Sequence, residues 1–247
     1  MTVSLDALPD FWAQVSARAA PLPPEQTAAA VAVGVLLVLV PTTWRLVRHA
    51  VTVVHEGGHG LAAVLSGRRL SGIRLHSDTS GLTVSRGPRT GPGMAATLLA
   101  GYTAPALAAL GASWLLGAGF AAGLLWALVL LLALMLVQIR NWFGLWVVLV
   151  GGVLVGAVTW LAPLAWQQAF GLALVSVLGV GALRASLELQ ASRRRGARHG
   201  RPAESDADQL ARLTHVPGVL WVGVFVAVAA ACLVGAALLL FPGWLAP

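Results

Sequence analysis

The sequence predicts an all-α polytopic membrane protein of about six to seven transmembrane or re-entrant helices, with one small β-hairpin among them. Three observations carry this. The 247 residues are 58% hydrophobic and only 10% charged, with a mean hydropathy of +0.82, whereas a soluble domain carries roughly a quarter charged residues. Apolar runs recur at close to the twenty residues that a spanning helix needs. All sixteen basic residues are Arg, and they collect in the gaps between those runs, as the positive-inside rule distributes charge. The formal net charge of +7 is therefore no sign of a nucleic-acid partner, which would need a basic face. The lipid bilayer is the expected partner, and a multi-pass protein of the cell membrane the expected location. Cys232, the single cysteine, lies in an apolar run and reads as a small buried hydrophobe.

Residues 1–26 form an N-terminal interfacial segment. Leu5, Leu8, Trp12 and Val15 recur at helical spacing before the Pro21, Pro23 and Pro24 cluster, which suits a short helix lying in the membrane surface. Asp6, Asp10 and Glu25 are acidic, and no basic n-region or small-residue cleavage site of a secretory signal is present, so the segment is expected to be retained. Residues 27–241 read as a single membrane-embedded domain. Its first run, Ala28 to Val40, is closed by Pro41, Trp44, Arg45 and Arg48. Met94 to Leu116, Phe120 to Ile139, Trp142 to Leu161, Ala165 to Leu183 and Pro217 to Leu240 follow, with Trp114, Trp142, Trp160, Trp166, Trp221 and Trp244 near their ends. Gly119 with Gly123, and Gly152 with Gly156, place small residues one turn apart and permit close helix packing.

Two segments break the pattern. Within 71–89, Ile73, Leu75, Leu82 and Val84 alternate around Ser77-Asp78-Thr79-Ser80-Gly81, the pattern of a β-hairpin with a polar turn. That hairpin either offers an edge to an extended peptide or is an ordinary juxtamembrane hairpin. Residues 184–212 carry Arg184, Arg193, Arg194, Arg195, Arg198, Arg201 and Arg212 and read as an exposed Arg-rich cytoplasmic loop. Counting crossings back from it places Arg140 and the hairpin arginines on the cytoplasmic side too. Arg45 and Arg48 fit the same count if residues 50–66 re-enter the membrane rather than cross it.

The chemistry lies in the segment from Ala50 to Leu65, where His55-Glu56-Gly57-Gly58-His59 forms an HExxH motif. Residues four apart on a helix share a face, so both imidazoles can bind one Zn2+, and Glu56 can reach a metal-bound water as general base. Ionisable groups inside an apolar segment cost several kcal/mol unless paired or metal-bound, which marks them as functional. Gly57, Gly58 and Gly60 each weaken a helix by about 1 kcal/mol relative to Ala, which points to another backbone approaching closely.

An apolar HExxH helix, then a hairpin, further spanning helices and a late acidic motif, resembles the site-2 protease family of intramembrane zinc metallopeptidases, in particular its short bacterial branch with His-Glu-Gly-Gly-His. The strong part of the resemblance is Val53-Val54-His55-Glu56-Gly57-Gly58-His59-Gly60. It implies peptide-bond hydrolysis in or beside the membrane, on a membrane-protein substrate, with a third zinc ligand from an aspartate on a later helix. The family's usual Leu-Asp-Gly signature is absent, and Ser205-Asp206-Ala207-Asp208-Gln209-Leu210 occupies its place in chain order. Asp206 is the chosen ligand and Asp208 the substitute. A helix starting near Ala207 would put Asp206 at its cap and Asp208 roughly 200° further round. Other candidates are weaker. His76 and His215 read as surface residues. Asn141, beside Arg140, is either an interface anchor or a group that holds substrate, and the sole tyrosine, Tyr102, either donates toward the site or bonds within the bundle. Two further readings stay open: a catalytically inactive membrane protein that keeps the fold and binds partners, and a transporter using the cluster as an ion site.

Overall fold

The structure is a computed structural model and describes residues 7–199 and 204–241. Leu5, Asp6, Arg201 and Trp244 lie outside the described residues. The elements in order are α1 (Ala7–Val15), α2 (Pro24–Leu39), α3 (Pro41–Leu65), β1 (Arg69–Leu75), β2 (Gly81–Arg86), α4 (Pro92–Gly117), α5 (Ala121–Gln138), α6 (Trp142–Leu161), α7 (Leu164–Arg198), α8 (Asp206–Thr214) and α9 (Gly218–Leu240). Helices α4, α5, α6, α7 and α9 are long and apolar enough to cross a membrane. Counting α2 and α3 as one bent span makes six. The protein is a multi-pass membrane protein, and its described residues are mostly helical with one two-stranded hairpin. Outward-facing Trp114, Trp142, Trp160 and Trp166 are exposed near helix ends, where aromatic rings meet the lipid headgroups.

Proline sets several boundaries. It stands at the start of α2, α3 and α4, where its missing N–H costs nothing and its fixed φ suits the helix. Pro41 also explains why α2 ends: the chain bends by 100° between α2 and α3 because Val40, before proline, is held extended. An ionic knot secures the bend. Arg184 on α7 donates to the Val38 and Leu39 carbonyls at the end of α2. Its Nε also donates to Glu188 Oε1 at 2.8 Å, Trp44 Nε1 donates to the same oxygen at 3.0 Å, and Arg48 pairs with Glu188 Oε2 at 3.0 Å. Around this knot Val38, Trp44, Val51, Ala109, Leu116, Leu124, Leu172 and Leu178 form the main core.

Three expectations need correction. The N-terminal helix stops at Val15, well before the prolines, and Pro24 opens α2 instead of closing α1. Phe11 of α1 packs edge-on against Trp126 of α5, with centroids 4.9 Å apart. Residues 184–198 are not loop: α7 runs on through the Arg-rich stretch because Leu, Glu, Gln, Ala and Arg are all good helix formers. Hydropathy falls at the membrane surface, but helix propensity does not. Of the glycine pairs, Gly123 on α5 lies against the Val15 carbonyl, but Gly119 sits in the turn before α5 at a φ of 87°, against the Ala19 carbonyl, and a Cβ on Gly152 or Gly156 would meet nothing within 4 Å.

Strands β1 and β2 pair antiparallel, with a bulge between Leu70 and Gly72. The linker after α5 adds to the other edge of β1. Ile139 bridges Ile73 in parallel, the Arg140 amide donates to the Ile73 carbonyl at 2.9 Å, and Asn141 bonds both the amide and the carbonyl of Leu75. Asn141 is thus an anchor of the hairpin. Below the sheet, Val53, Ile73, Leu75, Met135, Ile139 and Val148 form a second core that seats it on α3.

Ser77 in the hairpin turn and Ala197 near the end of α7 are both exposed. Cysteines placed there, in a Cys232→Ser background, are expected to resist an impermeant thiol reagent in intact cells, on the positive-inside distribution of arginine. Labelling of either from outside would overturn the cytoplasmic assignment.

Candidate metal centre

Helix α3 carries His55 and His59 on one face, one turn apart, with their Nε2 atoms 3.0 Å apart. Gly58 lets α4 pack against this turn: a Cβ there would fall 2.8 Å from the Ala100 carbonyl oxygen and 2.4 Å from the Ala104 Cβ. The approach of another backbone expected from the glycines is therefore α4.

The ring of His59 is fixed from behind. Its Nδ1 lies 2.7 Å from the Thr97 carbonyl oxygen on α4. A carbonyl only accepts, so Nδ1 carries a proton, and Nε2 is the ring nitrogen turned to the site. His55 is held by stacking: Tyr102 meets its ring edge-to-face at 4.7 Å and itself stacks on Phe225 of α9 at 5.0 Å. The sole tyrosine therefore packs directly beside the motif.

Asp206 comes from the far end of the chain. Its Oδ2 lies 3.4 Å from His55 Nε2 and 3.3 Å from His59 Nε2. Its position follows from how α8 begins. The helix starts at Asp206 itself, and its cap is Ser205, not Asp206 as expected. Ser205 accepts from the Asp208 amide at 3.3 Å while Asp208 Oδ2 accepts from the Ser205 amide at 3.2 Å, a reciprocal capping box. Asp208 is further tied down by Arg193, whose Nε and Nη2 donate to its Oδ1 at 2.9 and 2.6 Å. Burial pushes the Asp208 carboxyl up, but the hydrogen bonds from Arg193 and Ser205 outweigh it and hold it below the usual carboxylate range. With the cap made by Ser205 and Asp208, the Asp206 carboxylate is free to turn inward. Leu98, Leu189, Ala207, Leu210, Val222 and Phe225 bury the underside of α8 and keep it there.

His55, His59 and Asp206 thus offer three ligand atoms within 4.8 Å of one another. The fit to zinc can be tested geometrically. Ligands about 2.0 to 2.1 Å from a tetrahedral zinc stand about 3.3 Å apart, and the observed separations of 3.0, 3.3 and 3.4 Å match that edge. Two imidazoles and a carboxylate also form a donor set suited to zinc. Glu56, only 4% exposed, sits beside this group under β2. His76 instead meets Ser80 in the hairpin turn, and His215 ends α8 in a left-handed conformation. Neither joins the site.

Sequence reasoning passed over four residues here: Thr97, Gly101, Gly81 and Thr83. Only their placement on facing elements gives them meaning. A Cβ at Gly101 would fall 2.4 Å from His59 Nε2 and 2.8 Å from His55 Cε1, so the cluster fits only against a bare backbone. Gly101→Ala is accordingly expected to displace both imidazoles and reduce zinc content far below one per chain while helix content is retained. Full zinc in that variant would show that the imidazoles have another place to go.

A sequence profile described as Peptidase M50B-like matches residues 28–236, from α2 into α9. No curated protein and no solved structure matches the chain. With more than four-fifths of the chain inside the match, and the match spanning both the HExxH helix and α8, the chain belongs to the Peptidase M50B-like family, the site-2 protease family of membrane metallopeptidases.

Proposed function

We propose that the protein is an intramembrane zinc metalloendopeptidase of the cell membrane, in which residues 27–241 act as one metallopeptidase domain. The observation that carries this is the convergence of His55, His59 and Asp206, from both ends of the match, at tetrahedral spacing beside Glu56. In this reading the three residues hold the metal. Zinc supplies a lowered pKa for water and polarisation of the scissile carbonyl when bound. Glu56 takes the proton from the attacking water and returns it to the leaving amine, as a carboxylate general base does. Thr97 keeps His59 in the tautomer that leaves Nε2 unprotonated, and Tyr102 holds the plane of His55.

Peptide bonds in a helix are shielded by their own hydrogen bonds, so a membrane-embedded substrate must unwind near the cut. Strand β2 supports that step. Among the described residues its outer edge makes no backbone hydrogen bond, and it runs directly past Glu56, so an extended substrate segment can pair with it. Cells expressing only the Glu56→Gln form should accumulate an uncleaved membrane polypeptide that wild type cleaves. Equal processing in both would contradict the proposal.

A further inference from the structure

Glu56 is held by the hairpin as well as by its own helix. Thr83 Oγ1 on β2 donates to Glu56 Oε2 at 2.6 Å and lies 3.1 Å from the Glu56 carbonyl oxygen. At Gly81, two residues earlier on the same face of the strand, a Cβ would fall 2.3 Å from Glu56 Oε1 and 2.6 Å from Cδ. The hairpin is fastened to α3 one turn before this point, where Thr52 Oγ1 donates to the Thr79 carbonyl at 2.9 Å. The two threonine contacts run in opposite directions across one interface, and the second core lies beneath them.

An ionised carboxylate only accepts hydrogen bonds. Of the two oxygens of Glu56, Oε2 is occupied by Thr83, while Oε1 has no hydrogen bond among the described residues. We infer that β2 positions the general base: Thr83 fixes the carboxylate by holding Oε2, Oε1 is the oxygen that accepts the proton, and Gly81 is glycine because any side chain would occupy the place of the carboxylate. The inference rests on the zinc-peptidase reading of the same site. A glutamate carries three side-chain torsions, and without a fixed partner its carboxylate spreads over several rotamers. No other described side chain bonds it. Seating of the hairpin and competence of the base are therefore one event, and whatever lifts β2 from α3 also releases Glu56. Thr83 is a positioning residue, acting through Glu56.

The test uses the full chain, zinc-loaded in detergent, and reads zinc content together with affinity for leucine hydroxamate by calorimetry. A hydroxamate gives up its proton as it chelates zinc, so its binding registers a correctly placed base without needing a known substrate. Thr83→Val, nearly the same shape without the hydroxyl, should keep its zinc and bind the hydroxamate about tenfold more weakly, the loss of one hydrogen bond to a charged group. Thr83→Ser should restore affinity to within about twofold, whereas Gly81→Ala should weaken it at least as much as Thr83→Val. Thr83→Val binding like wild type, or Thr83→Ser failing to restore binding with zinc intact, would overturn the assignment. Glu56→Gln separates the two levels. If wild type and Glu56→Gln bind hydroxamate equally, or wild type holds no zinc, the peptidase reading beneath the inference fails, whatever Thr83 does.

Discussion

Glu56→Gln is expected to leave zinc at about one per chain and to lower peptide hydrolysis by about a thousandfold, within the range that a positioned general base contributes. The two halves of this result have separate causes. Zinc is retained because the proposed ligands are His55, His59 and Asp206, and the amide is nearly isosteric with the carboxylate, so it still fits under Gly81 and can still accept from Thr83 through its carbonyl oxygen. Hydrolysis is lost because an amide cannot take a proton from water near neutral pH. Metal analysis and a cleavage assay on the same preparation read both. Loss of zinc would make Glu56 a ligand and not a base. Undiminished cleavage would move the base elsewhere. Zinc in a wild type that cleaves nothing would favour a protein that keeps the fold and binds partners.

The second large effect separates two aspartates in one short segment. Asp206→Ala should abolish cleavage and lower zinc affinity by an order of magnitude or more, because two imidazoles alone leave a catalytic zinc one protein ligand short. Asp208→Ala should keep zinc and lose stability instead, by about 1 to 2 kcal/mol, from the broken capping box and the lost carboxylate partner of Arg193. The sign of the pH dependence follows from the depressed carboxyl of Asp208. Its stabilising contribution is fully present above the ordinary carboxylate pKa and is lost as pH falls through the lower folded value. Wild type should therefore lose its stability advantage over Asp208→Ala in acid. Zinc affinity and thermal melting across pH check both halves. If Asp208→Ala loses zinc while Asp206→Ala keeps it, the assignment is reversed.

The spanning helices were legible because the bilayer imposes one simple demand, about twenty apolar residues, and α4, α5, α6 and α9 end within a few residues of the apolar runs. Helix α7 was misjudged at its far end for the converse reason: hydropathy reports the membrane, not the helix. HExxH was legible because its chemistry is local, with both imidazoles one turn apart on α3. Asp206 could be placed only by chain order and resemblance. What turns it toward the histidines is that Ser205 and Asp208 cap the helix between them, a division of labour that single-residue capping preferences do not reveal. Gly101, Gly81, Thr83 and Thr97 carried no signal at all, since glycines and threonines are common in membrane helices and hairpins. Their roles exist only across the contacts of α3 with α4 and with β2.

The most direct measurement of the central claim is the zinc content of purified wild type beside a His55→Ala, His59→Ala double variant and Asp206→Ala, each checked for intact helix content. About one zinc per chain in wild type, near none in the double variant and a weakly held, readily chelated fraction in Asp206→Ala is the predicted result. Stoichiometric zinc retained by the double variant would contradict the assignment.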